Sequence, residues 1–209
     1  MFLDSAQMQS SVVSHAKELN YIPQSAKSSA ANVSLTITTT TPLNGPLTIL
    51  KGTSFSGQNS NGVYQFVTAQ NQTFTSTNNT YYANNIIIYE GTYINDTFVV
   101  DYTQGNTVSF VLTNPNIDIS SLTVTATESG VNTQFTQAYT LYNLLSNSNI
   151  FFLQGAQNGQ YEIVFGDGNL GRKPNNLATI TVNYRVTNGD SAQGRSEEHT
   201  SELQSHWYI

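Results

Sequence analysis

The stretch Tyr161-Glu-Ile-Val-Phe165-Gly166-Asp167-Gly168-Asn-Leu-Gly171-Arg172-Lys-Pro174 decides the fold class. It holds a literal Gly-x-Gly-x-x-Gly directly after a β-type run. In a dinucleotide-binding unit those glycines open a helix whose N-terminus meets the pyrophosphate. Here Arg172-Lys-Pro174-Asn-Asn follows, and proline at that point cannot propagate a helix. No crossover to a parallel strand is visible. The glycines read instead as residues of a tight hairpin or bulge that needs positive φ. A structural turn is expected at Gly166, Asp167, Gly168 and Gly171, with the Asp167 side chain capping it.

Outward from this corner the periodicity is two. Val33, Leu35 and Ile37 alternate with Ser34, Thr36 and Thr38. Further strands are expected at Leu47–Leu50, Val63–Thr68, Thr97–Tyr102, Thr107–Thr113, Leu122–Thr127, Gln134–Tyr139, Ile150–Leu153, Tyr161–Phe165 and Ala178–Val186. Ile86-Ile-Ile-Tyr89 is a short apolar run, expected as a strand buried on both faces. Gly52–Gly62 and Gln70–Thr80 read as turns and loop, Leu141–Leu145 as one helical turn, and Glu90-Gly91 as a second structural turn. The one clear helix is Asp4–Leu19, with Met8, Val12, Ala16 and Leu19 on one face and Pro23 beyond its end. Turns about every ten residues favour sandwiches or barrels over βα units. The fold class is therefore mainly β: an N-terminal helix followed by antiparallel β-sandwich or barrel-like modules. Residues 1–31 form the helix and linker and 32–194 the β-rich region, which is open to division into two submodules near 94–118.

Composition narrows the function. Charged residues are 10% of the chain against the usual quarter, and Ser, Thr, Asn and Gln supply 88 of 209 residues. The formal net charge is −6, and no basic residue stands between Lys51 and Arg172. A nucleic-acid binder would need a basic stripe. Zero cysteines exclude disulfides, cysteine-ligated metals and a thiol nucleophile. No apolar run reaches the length of a membrane span, and Met1–Gln9 lacks the regions of a signal peptide.

Candidate chemistry is thin. Glu162 with Asp167, or Asp96 with Asp101, have the residue types of a glycosidase carboxylate pair, but a separation of five has little specificity. Asp167 and Asn169 lack the rest of a calcium loop. A Ser/His/Asp triad would have to use His15, without a Gly-x-Ser-x-Gly elbow. Tyr81-Tyr82 reads as strand filler rather than a sugar platform, and the glycosylation sequons at Asn32, Asn71, Asn78 and Asn95 as products of an Asn- and Thr-rich composition. No catalytic residue, cofactor or metal ligand is expected, and the chain reads as non-enzymatic.

Arg195–Ile209 differs from the body. It is dense in charge, and Arg195–Ser205 reads, codon for codon, as the translation of a common sequencing-adapter oligonucleotide, so Arg195–Ile209 is set aside as non-native. The remaining blocks resemble a known family in order. Phe2-Leu-Asp-Ser-Ala-Gln-Met8 and Val12 through Ala26 come first, then Lys51-Gly-Thr-Ser-Phe55, Tyr89-Glu-Gly-Thr-Tyr93, Phe98-Val-Val-Asp101 and Asn114-Pro-Asn-Ile-Asp118. Phe152-Leu-Gln, Gly159 through Pro174, and Tyr184-Arg-Val-Thr-Asn-Gly189 complete the series. Together they resemble baseplate wedge subunits of contractile-tailed bacteriophages, related to baseplate J-like proteins. That resemblance implies a structural virion protein of the tail baseplate, assembled in the host bacterial cytoplasm and acting in tail assembly and contraction signalling. It implies self-association, as a homodimer within the wedge, and contact with other wedge proteins; charge and composition add the expectation of no nucleic-acid or membrane partner. Family members are longer, so both termini are expected to be truncated. The alternative is an extracellular adhesin or carbohydrate-binding β-sandwich.

Overall fold

The computed structural model describes residues 25–40, 45–59, 62–77, 79–104 and 109–189. The expected helix Asp4–Leu19, His15, and the adapter-like tail lie outside them. The described residues are mainly β. They divide into two compact units, one of residues 26–93 with 185–189, the other of residue 25 with 94–184.

The first unit contains β1 (Ala30–Thr38), β2 (Leu47–Ile49), β3 (Ser54–Asn59), β4 (Gly62–Thr68), β5 (Gln72–Phe74), β6 (Ser76–Thr77) and β7 (Thr80–Glu90). Its main sheet runs β1-β7-β4-β3, with β6 beside β7, and β2 pairs β5 separately. All of these pairings are antiparallel. β1 follows its sequence pattern: Asn32, Ser34, Thr36 and Thr38 are exposed, while Ala31, Val33, Leu35 and Ile37 turn inward. The core gathers Val33, Ile49, Ala83, Ile86 and Ile88, with Phe55, Phe66 and Phe74 packed on it.

β7 corrects one expectation. Ile86 and Ile88 are fully buried, but Ile87 between them is 47% exposed, so the run is half-buried rather than covered on both faces. The alternation changes phase at Asn84-Asn85, both exposed, where Asn85 adopts φ +61°. Opposite it, the β1 register shifts between Val33 and Leu35. This is a β-bulge: one extra residue on β7 lets Tyr81 and Ala83 point inward on one side of it and Ile86 and Ile88 on the other. β3, β5 and β6 replace the turns and loop expected there. Phe55 and Phe74 supply the inward side chains that Gly, Ser, Thr and Gln neighbours disguise in the sequence.

The second unit holds β8 (Thr92–Val99, which begins in the first unit), β9 (Ser109–Val111), β10 (Ile117–Glu128), β11 (Val131–Gln137), β12 (Ile150–Gly155), β13 (Tyr161–Phe165) and β14 (Thr179–Val186, which ends in the first). They form one sheet in the order β8-β14-β10-β11-β12-β13-β9. β10 and β11 join through Ser129-Gly130, both at positive φ (+49° and +80°), the primed turn that suits strand twist. β11 and β12 pair in parallel, which corrects the expectation of an antiparallel fold throughout. Residues 138–149 carry the chain back so that β12 starts beside the end of β11. The helical turn expected at Leu141–Leu145 is not there; those residues form turns and open chain.

The edge strands β8 and β9 come together. Phe98 of β8 stacks on Phe110 of β9 with ring centroids 4.7 Å apart, although the two strands are at opposite ends of the sheet order. The sheet therefore curls nearly into a barrel, which shelters edges that would otherwise invite further pairing. Phe110 and Phe135 both meet Phe165 edge to face, lining the interior with aromatic contacts.

Gly91 follows β7, with φ +114°, and a Cβ built on it would lie 2.2 Å from the Val186 carbonyl oxygen. Gly91→Ala is expected to cost about 3 kcal/mol or more, combining backbone strain with a collision against main chain. Gly130→Ala, at φ +80° but in open space, is expected to cost about 1 kcal/mol. Urea denaturation of the two variants checks the difference, and equal losses would contradict the packing argument.

Candidate functional site

The singled-out residues that lie among the described ones fall at separate places, and Glu90, Asp96, Asp101 and Asp167 each accept a main-chain N–H. β13 ends at Phe165, and residues 166–178 lead to β14, which is not its neighbour in the sheet. The expected hairpin is thus a closed loop between non-adjacent strands. Residues 166–171 close on themselves: a Cβ on Gly166 would lie 2.4 Å from the Gly171 carbonyl group. Gly168 N–H donates to Gly171 O at 3.0 Å, with Gly168 at φ +93° and Gly171 at φ +86°. Asp167 Oδ1 accepts the N–H groups of Asn169 at 2.8 Å and Leu170 at 2.9 Å. Those main-chain donors, Leu170 foremost, hold the Asp167 carboxyl below the usual carboxylate range.

Farther along, the loop is pinned to the β10–β11 hairpin. The Arg172 guanidinium pairs with Glu128 and donates to Asn149 Oδ1 at 3.2 Å, and it lies over the Phe135 ring. Glu128 also accepts Asn175 N–H at 2.9 Å. The Tyr102 hydroxyl donates to the Pro174 carbonyl, and Lys173 Nζ sits 4.0 Å from the Tyr102 ring centre.

The imagined carboxylate pair Asp96/Asp101 is split between unrelated tasks. Asp101 is exposed and accepts the N–H and hydroxyl of Thr103, which lowers its pKa. Asp96 is buried on β8 and accepts three donors: Thr113 N–H at 2.8 Å, the Thr113 hydroxyl at 2.9 Å and the Tyr184 hydroxyl at 2.8 Å. Thr113 lies just past β9 and Tyr184 on β14. One carboxylate thus joins the two edges of the curled sheet. Asn114 completes the cluster by donating to Tyr184 Oη at 3.0 Å.

In the first unit, Glu90 is fully buried and accepts the Thr187 hydroxyl, Asn188 N–H at 3.1 Å and Asn188 Nδ2 at 2.8 Å. Gly91 N–H meanwhile donates to Gln65 O at 2.8 Å. Arg185, 2% exposed, donates from Nε to Ser28 Oγ at 2.7 Å and lies over Tyr89, 4.4 Å from its ring centre. Sequence reasoning missed Arg185 and the role of Asp96. The only signal for Arg185 was its position inside an otherwise apolar and polar-neutral strand.

Glu162 stands half-buried on β13, paired with Val111 of β9, and Asp167 is on the exposed loop. Among the described residues, no group of three or more His, Asp or Glu is placed to hold a metal ion. A groove of about 640 Å³ in the first unit is lined by Leu35, Ile37, Leu47, Leu50 and Phe55 with several threonines, and no charged side chain lines it. Such a lining offers contact area and no acid, base or nucleophile beyond hydroxyls. Compared with known proteins, no protein-family model matches the chain and no curated protein matches it.

Burial raises the Tyr184 pKa, and the adjoining Asp96 carboxylate adds to the shift. Because the folded value lies above the unfolded one, the stability it contributes is complete below about pH 10 and is lost as pH rises beyond it. Tyr184→Phe is expected to cost about 1–3 kcal/mol at neutral pH, since Asp96 and Asn114 lose a buried partner, and to flatten the alkaline loss. Chemical denaturation at neutral and alkaline pH reads both. A variant as stable as the parent would show that the hydroxyl carries no load.

Proposed function

We propose that the chain is a structural component of a phage tail baseplate wedge, acting by assembly with other wedge proteins and by transmitting contraction. The observation that carries this reading is the use made of the ionic groups. In a chain with few charges, Glu90, Asp96, Glu128, Arg172 and Arg185 are all engaged in tying strands and loops together. Threonine- and asparagine-rich strand faces remain outside, as on β1. Such faces can be covered by a permanent neighbour without stripping water from ions. Obligate interfaces of this sort cover roughly 2,000 Å² or more.

The resemblance supports the same conclusion. Its blocks contain several of the joints: Glu90 and Gly91 in one, Gly166 to Gly171 with Arg172 in another, and Tyr184, Arg185, Thr187 and Asn188 in the last. A particle part that must bear mechanical strain needs its loops fixed in this manner. On this reading the protein is non-catalytic, resides in the virion tail, and meets its own copies and neighbouring wedge subunits.

Co-expression of the full chain with the products of the reading frames flanking its gene tests the proposal. A complex that survives gel filtration is expected, with sheath and tube proteins encoded nearby. A chain that stays alone and gives saturable binding on a glycan array would favour the adhesin reading. Polysaccharide cleavage that disappears in Glu162→Gln would make it a hydrolase.

A further inference from the structure

The connection between β11 and β12 exposes side chains that a solvated loop has no reason to carry. Tyr139 is 69% exposed, Leu141 61%, Tyr142 81% and Leu145 65%. The turn is held in shape: Leu145 N–H donates to Ser148 Oγ at 3.2 Å, Ser148 N–H returns to Leu145 O at 3.1 Å, and Asn143 takes φ +58°. Gly171 N–H donates to Leu145 O at 3.1 Å, which brings the loop of Leu170, 43% exposed, against the same turn.

We infer that this turn is the surface on which a second copy of the chain docks, meeting its own image across a two-fold axis. The inference deepens the structural reading above by assigning self-association to one surface. Charge is the argument for the occupant. Residues 129–161 contain no Asp, Glu, Lys, Arg or His, whereas the whole chain carries −6. In a two-fold interface the same patch faces itself, so any net charge on it confronts its own sign. An uncharged patch escapes that repulsion, and two acidic copies can approach there. Of the two ions that flank this run, Glu128 is paired with Arg172 and Glu162 stands half-buried on β13. Asp167, on the Leu170 loop, keeps its charge, offset in part by the main-chain N–H donors of that loop, so the uncharged surface is the 139–145 turn itself.

Area agrees with charge. The five side chains present about 500 Å² of apolar surface, taking about 200 Å² for a whole tyrosine, which is at the upper end for a lone monomer patch. One side of a standard interface is about 800 Å² and roughly 60% apolar, so the patch supplies what one half of a dimer contact requires.

Sedimentation equilibrium of the full chain from about 1 to 100 μM tests the inference, with a monomer–dimer equilibrium expected. Leu141→Glu and Leu141→Lys, at an exposed position, should each keep the parent melting temperature and weaken the dimer by at least about 100-fold. Mixing the two variants should restore association, because opposite charges then face each other across the axis. Val63→Glu, at a 64% exposed site in the other unit, should leave the dimer intact. A parent chain that remains monomeric, a dimer that tolerates Leu141→Glu, or variants that fail to recombine would overturn the inference. A monomer that still joins the products of the flanking reading frames would sink this surface and spare the wedge reading. A dimer that joins none of them would do the reverse.

Discussion

The bond between the Asp96 carboxylate and its three donors is the constraint on which the second unit depends. A sheet of seven strands has two raw edges, and here they are β8 and β9. Stacking of Phe98 on Phe110 brings them together, but ring stacking is tolerant of sliding. Asp96 fixes the register by accepting the N–H of Thr113 at one edge while Tyr184 holds the same carboxylate from the neighbouring strand. A buried carboxylate is costly to desolvate, and three short hydrogen bonds offset that cost.

The same solution recurs at other turns and loops. Glu90 gathers the chain just after β14, Glu128 and Arg172 tether the long loop after β13, and Asp167 closes the tip of that loop. Glycine makes the approaches possible, since Gly91 and Gly166 stand where any Cβ would strike main chain. With only 10% charged residues, the chain presents much neutral, hydroxyl-rich strand surface, as on β1. Fold and proposed function thus share one cause.

Much of the fold was legible where side chains alternate cleanly. β1, β13 and β14 show period two in their residues and form where that pattern places them. β3 was hidden because Ser54-Phe-Ser-Gly-Gln offers a single large apolar residue among turn formers, and its identity as a strand comes from pairing with β4. The Ile86–Ile88 run misled because the face of β7 that carries Ile87 is left uncovered, a tertiary fact that periodicity does not encode. The glycines of the 166–171 loop could be assigned to a turn from the sequence, but not the closed form of that loop, since its ends touch only in three dimensions. The Asp96 joint was out of reach: its partners lie 17 and 88 positions away, and nothing local distinguishes Asp96 from exposed Asp101. The uncharged turn at 139–145 was visible as a run of residues, but its exposure was not.

Native-state hydrogen exchange on Asp96→Ala tests the central claim most directly. The account predicts a folded but weakened chain, less stable by about 3 kcal/mol or more, in which amide protection falls first at Thr113 and along β8 and β9 while the β12–β13 pairing keeps most of its own. Unchanged protection at Thr113, with stability equal to the parent, would contradict it and return Asp96 to the list of groups free for chemistry.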